Sequence, residues 1–186
     1  AAASTMIVGA AYSLWMYKRV MFGNVTNHHV EEMEDISGRE FLILEIESHT
    51  TTECHFLRAS TPKDDWTLVA ARKADHEYSL DHHGDWFYIL SDRDGRNFSL
   101  LKTPVAKPAP KHWTLVIPHR KDVLLQSAAF FRDFYVIGEV ENALTQLRTV
   151  DLHSNDSHRI AFPETAFLAY VLSNPEFNTE VLRYGY

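Results

Sequence analysis

The sequence holds a single cysteine, Cys54, in 186 residues, so no disulfide can form within the chain. Such usage suits a reducing compartment, and the chain is expected to be cytoplasmic. A reactive thiol needs electropositive surroundings, which the apolar run around Cys54 does not supply, so Cys54 reads as a small buried hydrophobe. Positive charge is also short: 18 Lys and Arg stand against 25 Asp and Glu, for a net charge of -7. No Lys/Arg run exists to track a phosphate backbone, which excludes a general nucleic-acid binder. Glycine is sparse, and no two of the seven glycines bracket a serine in G-x-S-x-G spacing. Without that elbow a hydrolase fold cannot present a nucleophilic serine, and the plentiful Ser, His and Asp do not amount to a triad.

Long apolar runs are missing as well. The stretch Ala1–Tyr17 is interrupted by Ser4, Thr5 and Ser13, and it falls short of the roughly 20 residues a bilayer-spanning helix needs. Its positive charges, Lys18 and Arg19, follow the apolar stretch, whereas a secretory signal carries them in front. No membrane partner is expected. Residues 1–36, which include Asn27-His28-His29-Val30 and the acidic cluster Glu31-Glu32-Met33-Glu34-Asp35, read as an unassigned leader or non-native segment.

From Ser37 onward the chain is a series of short β-type runs. They are Phe41–Glu47, Glu53–Leu57, Trp66–Val69, Glu77–Leu80, Trp86–Leu90, Phe98–Leu101, Trp113–Ile117, Phe134–Ile137, Thr145–Leu152, Arg159–Phe162, Phe167–Leu172 and Val181–Tyr186. Their length and density, with no sustained 3.6-residue period, indicate an all-β domain over 37–186. Ser37-Gly38, His83-Gly84 and Asp94-Gly95 sit between runs, where glycine reaches positive φ cheaply. Pro62, Pro104, Pro108, Pro110, Pro118 and Pro163 fall at run ends, where a missing N–H harms no ladder.

Internal repetition gives the architecture. Trp66-Thr67-Leu68-Val69 recurs as Trp113-Thr114-Leu115-Val116 at an offset of 47. Glu40-Phe41-Leu42-Ile43-Leu44 aligns with Asp85-Trp86-Phe87-Tyr88-Ile89 at 45, and Asp133-Phe134-Tyr135-Val136-Ile137 follows at 48. His55-Phe56-Leu57-Arg58 answers to Ser99-Leu100-Leu101-Lys102 at 44. A period in the mid-forties with about four strands per unit predicts a partial β-propeller of about three four-stranded antiparallel blades. Closure needs at least about four blades. The ring is therefore expected to be open, and the chain reads as a portion of a larger protein.

Several residues invite a chemical role. Asp75, His76, Asp81, His82, His83 and Asp85 are the densest set of potential metal ligands. Strand alternation sends their side chains to opposite faces and no standard ligand spacing is present, so they read as loop caps and bridges. His28 and His29 are weaker candidates. Asn24-Val25-Thr26, Asn97-Phe98-Ser99 and Asn155-Asp156-Ser157 match the glycosylation triplet, and in a chain of cytosolic character they read as chance. Glu45, Glu47, Glu139 and Glu141 either line an acidic tunnel wall or are ordinary solvated strand positions, and the second reading is preferred. No catalytic, cofactor-binding or metal-ligating residue is assigned, and no cofactor is expected.

The string Lys73-Ala74-Asp75-His76-Glu77-Tyr78-Ser79-Leu80-Asp81-His82, followed by Gly84-Asp85 and Phe87-Tyr88, resembles the non-catalytic propeller of oligopeptidase B, in the prolyl oligopeptidase family of serine peptidases. Leu44–Glu53, Arg96-Asn97-Phe98, Asn174-Pro175-Glu176 and Leu182–Tyr186 resemble the same family, in its order and at about its spacing. The resemblance implies that the parent enzyme cleaves short peptides after Arg or Lys, and that an α/β-hydrolase domain outside these 186 residues supplies the Ser–Asp–His triad. The propeller then gates that site, with the hydrolase domain and short peptides as partners. The competing expectation is a stand-alone propeller-like binding or scaffold module.

Overall fold

The computed structural model describes residues 40–186, within a unit that spans Gly38–Tyr186. Among the described residues there is no α-helix, and none is therefore long and apolar enough to cross a membrane. The chain runs as an antiparallel meander. Strands β1 (Phe41–Glu47), β2 (Thr52–Arg58) and β3 (Thr67–Ala70) form the first sheet. The second holds β4 (Tyr78–His83), β5 (Trp86–Ser91), β6 (Ser99–Pro104) and β7 (Thr114–Ile117), with one 3-10 turn at Pro110–His112 before its last strand. The third holds β8 (Val123–Phe130), β9 (Phe134–Glu141), β10 (Leu144–Asp151) and β11 (Ser157–Arg159). A short pair, β12 (Tyr170–Val171) with β13 (Tyr184–Gly185), follows.

Among the described residues no sheet closes on itself, and the architecture is the partial propeller that the repeats imply. The repeats mark equivalent positions. Phe41, Trp86 and Phe134 open β1, β5 and β9. Trp66 and Trp113 immediately precede β3 and β7, the final strands of their sheets. The β2–β3 and β6–β7 pairings even share a register shift, at Cys54/His55 and at Leu100/Leu101. By this alignment β1 corresponds to the second strand of each later sheet, and the first sheet has three strands among the described residues.

Alternation along the strands explains how the sheets stack. On β5 and β6, Phe87, Ile89 and Leu101 face the first sheet, where they meet Phe41, Cys54, Phe56 and Val69. Their neighbours Tyr88 and Leu100 point the other way, onto Leu125, Phe130, Tyr135 and Ile137 of the third sheet. A strand buried on both faces must be apolar at consecutive positions, which is why Trp86–Leu90 reads as an unbroken hydrophobic run. Phe87, Ile89 and Leu101 are wholly buried, and truncating such a Phe to Ala costs about 3–5 kcal/mol.

Strand β8 is a departure from expectation, since Val123–Phe130 shows no clear run. Val123 and Leu125 alternate into the core, but the pairing with β9 shifts between Leu125 and Ser127. That irregularity breaks the period of two midway, and the small residues Ser127-Ala128-Ala129 mask the rest. The last runs are shorter than their composition suggests: Phe167–Leu172 pairs only at Tyr170–Val171, and Val181–Tyr186 only at Tyr184–Gly185.

Of the turn glycines, Gly84 has φ +56 and Gly95 φ +151, while Ser37-Gly38 lies outside the described residues. At Gly95 a Cβ would overlap the imidazole of His119. The two-residue turn Asn142-Ala143, joining β9 to β10, has φ 52 and 62. Both central residues at positive φ make this the hairpin turn that suits strand twist, here built without glycine.

Candidate functional site

The side chains singled out in the sequence distribute over the seams between sheets. His76 is buried, its Nε2 lies 2.9 Å from Ser91 Oγ, and its ring stacks on Tyr78. Burial holds its pKa below the ordinary value, with Asp92 opposing and Lys73 and Arg93 reinforcing. His82 is wedged between Phe41 and Phe87, with ring centroids 4.7 and 5.6 Å away. Its Nε2 is buried without a hydrogen-bond partner, and burial lowers its pKa. His83 turns to the opposite seam, Nε2 lying 2.9 Å from the Arg132 carbonyl oxygen and the ring near Phe177. The carboxylate of Asp81 accepts the His82 backbone N–H at 2.8 Å. Asp75 sits in a turn at φ 54, and the carbonyl of Asp85 accepts the Val105 N–H. Among the described residues no three His, Cys, Asp or Glu side chains converge as a metal cage would require. The string Asp75–Asp85 thus brackets β4, the strand that bridges the first and second sheets. His28, His29 and Asn24 lie outside the described residues.

Cys54 is buried, and burial together with the negative charge of Glu45 pushes its thiol up to about 12. It is neutral and unreactive at physiological pH. Its backbone is put to use instead. The Cys54 N–H donates to the Tyr78 hydroxyl at 2.8 Å, and that hydroxyl donates to the Ala70 carbonyl at 2.8 Å. One phenol therefore pins β4 to both β2 and β3. Glu45 Oε1 reaches the same seam and accepts the Leu80 N–H at 3.0 Å.

Glu139 is not a solvated strand position. It is completely buried on β9, on the face that carries Tyr135 and Ile137 toward the second sheet. Three guanidiniums converge on it: Arg148 Nη2 at 2.5 Å, Arg159 Nη2 at 3.4 Å, and Arg120. Arg159 also bonds Glu141 at 2.7 Å. Burial works against ionisation, but the bonds from Arg148 and Arg120 outweigh it and hold the Glu139 carboxyl below its ordinary value. A hairpin register read from Asn142-Ala143 places Arg148 opposite Ile137, diagonal to Glu139 on one face, so this pair was within reach of the sequence. Arg120, from the loop between β7 and β8, was not. Asn97 secures that loop, its amide donating to the carbonyls of Arg120 and Lys121 at 2.9 and 2.8 Å.

The described residues therefore offer stacked sheets with charged and aromatic seams. The family model described as prolyl oligopeptidase, N-terminal β-propeller domain, matches residues 19–186. The chain belongs to that family. It is 32% identical over 148 residues to dipeptidyl aminopeptidase BI of Pseudoxanthomonas mexicana, covering 79% of this chain and 20% of that protein. The chain thus spans about a fifth of the length of this curated relative. Oligopeptidase B from Trypanosoma brucei, in a closed form with covalently bound antipain, superposes with a TM-score of 0.73 at 24% identity, over 86% of this chain and 26% of that one. At that identity the likeness speaks for the fold. A shorter stretch of 42 residues is 52% identical to NADH-ubiquinone oxidoreductase chain 4 of Marchantia polymorpha, 23% of this chain and 8% of that protein.

Proposed function

We propose that the chain is part of the gating propeller of a serine oligopeptidase that cuts short peptides after Arg or Lys. The family match over residues 19–186 carries this reading, because the family's propeller stands N-terminal to the rest of the protein. The described sheets supply walls and seams, and no residue pattern for nucleophilic attack occurs in the 186 residues. The partner is then an α/β-hydrolase domain of the same longer protein, which brings the Ser–Asp–His triad. The propeller selects by size: a narrow cavity admits a flexible peptide and turns a folded domain away. Residues 37–186 form the propeller portion, to which the family match adds residues back to 19, and the protein works in the cytoplasm with Cys54 reduced.

Sequencing the transcript beyond the Tyr186 codon tests the reading. A G-x-S-x-G elbow a few hundred residues downstream is the expected result, and an immediate stop codon would count decisively for the stand-alone module. In parallel, the purified chain is offered a fluorogenic peptide with Arg at the cleavage position. No turnover is expected, and turnover blocked by a serine-directed inhibitor would overturn the assignment of catalysis to another domain.

A further inference from the structure

Strand β4 is fastened to the first sheet unevenly along its length. Near its start, the Thr52 N–H donates to the His76 carbonyl at 3.1 Å, and the Tyr78 hydroxyl bridges Cys54 and Ala70. Two residues on, the Leu80 N–H donates to Glu45 Oε1 at 3.0 Å. At its end the contact is made by rings. His82 lies edge-on between Phe41 and Phe87, whose own centroids are 5.3 Å apart, and Phe56 packs 4.6 Å from Phe87. The Arg58 guanidinium sits over Phe41, 5.2 Å from its centroid.

Within that cluster His82 Nε2 is enclosed and takes no hydrogen bond. A neutral imidazole can keep this nitrogen as a bare acceptor, but an imidazolium must put an N–H there. A buried cationic donor without an acceptor is far more costly than an unused lone pair. The charged groups around the ring do not remove that cost. Burial comes first in opposing a charge, and His83 and Arg58 add to it; the Gly84 backbone and Glu40, just before β1, favour one. The Asp81 carboxylate accepts the His82 backbone N–H, and β5 presents Phe87.

We propose that His82 is a proton-triggered latch: once charged, its ring leaves the cleft between Phe41 and Phe87, and that end of the seam between the first two sheets opens. The Tyr78 end stays bonded and acts as the hinge. Separation at the open end breaks ring contacts and no sheet ladder, because β1 pairs with β2 and β4 with β5, each within its own sheet. What opens is a slot lined by Phe41, Phe56 and Phe87, offered to solvent only in acid. The latch follows from this packing and does not depend on the peptidase reading.

The test is NMR of the full 186-residue chain with isotope-labelled His, Phe, Tyr and Trp rings, titrated from pH 7.5 to pH ~5. Nuclear Overhauser contacts of His82 with Phe41 and Phe87, and of Phe41 with Phe87, are expected to fall at least about fivefold as the His82 ring takes its proton. The contact of Tyr78 with Trp113, whose centroids are 5.6 Å apart on the hinge side, should hold throughout. In His82→Phe the Phe41–Phe87 contact should survive the same titration; should that variant fail to fold, the parent titration alone decides. Ring contacts that persist around a protonated His82, a ring still neutral at pH ~5, or loss of the Tyr78–Trp113 contact in step with the others would each overturn the proposal. So would His82 contacts missing already at pH 7.5, or a folded His82→Phe chain whose seam still parts in acid.

Discussion

The hydroxyl of Tyr78 accepts the backbone N–H of Cys54 at 2.8 Å across the seam between the first two sheets. It also donates to the carbonyl of Ala70 at 2.8 Å, so a single oxygen satisfies two backbone groups on different strands. Burial raises the phenol's pKa, which keeps it protonated and able to donate throughout the physiological range. Tyr78→Phe keeps the ring but leaves both backbone groups unpaired in a dry seam. A loss of about 2 kcal/mol is expected in urea unfolding followed by tryptophan fluorescence. A loss below about 0.5 kcal/mol would mean that water replaces the hydroxyl and the seam is wetter than described.

Glu139 should dominate the acid response of the third sheet. Its carboxyl is held below the ordinary value of 4.5, so the folded state favours the ionised form more than the unfolded chain does. Its contribution is complete above that value and is lost as pH falls through the lower folded one. Glu139→Gln leaves Arg120 and Arg148 without their counter-charge, while Arg159 keeps Glu141, and is expected to cost about 3–5 kcal/mol at pH 7. The gap between variant and parent should narrow below pH ~4.5, as measured by chemical unfolding across pH. A gap that stays constant would assign the effect to shape and not to charge.

His82 acts at a higher pH. Its imidazole is buried between Phe41 and Phe87, and burial depresses its pKa from 6.5 despite the opposing influence of Glu40; His83 and Arg58 add to the depression. The folded state then binds fewer protons than the unfolded chain, so stability is present above pH 6.5 and erodes as pH falls through that value. His82→Phe retains an aromatic ring in the sandwich and removes the protonation site. Thermal melts should show the variant gaining on the parent between pH 7.5 and pH ~5, with the two nearly parallel at alkaline pH. Equal slopes over the whole range would show that His82 binds its proton as readily in the folded state as in the unfolded one.

The Asn142-Ala143 turn is strained at its second position, because Ala143 holds φ 62 with a Cβ in place. An L-residue pays about 1 kcal/mol for the left-handed region, and glycine does not. Ala143→Gly is therefore expected to stabilise the β9–β10 hairpin by about 0.5–1 kcal/mol, after allowing for the added freedom of the unfolded chain. A rise in the unfolding midpoint at unchanged m-value is the readout. A fall would mean that the left-handed conformation is not the one adopted in solution.

Much of the fold was legible before any coordinates. The runs that open β1, β5 and β9 begin at the aligned residues Phe41, Trp86 and Phe134 because each is the same strand of a repeated unit; β5 and β9 are buried on both faces, whereas β1 leaves Leu42, Leu44 and Ile46 exposed. Strand β8 was hidden by its irregular pairing near Gln126, which interrupts the alternation that reveals other strands. The string Asp75–Asp85 was correctly singled out, yet its histidines scatter: His82 enters one seam and His83 the other, as adjacent strand positions must.

By itself, then, the sequence determined the all-β class, the period of the blades, the family and the absence of a nucleophile elbow, since all of these reside in local pattern and spacing. Only the tertiary structure decided which polar groups share a seam. Arg120, Arg148 and Arg159 reach Glu139 from a loop and two further strands, and the Tyr78 hydroxyl reaches the backbones of both β2 and β3. Such meetings depend on how the sheets stack, and stacking is set by the summed shape of their faces, which no single stretch of chain encodes.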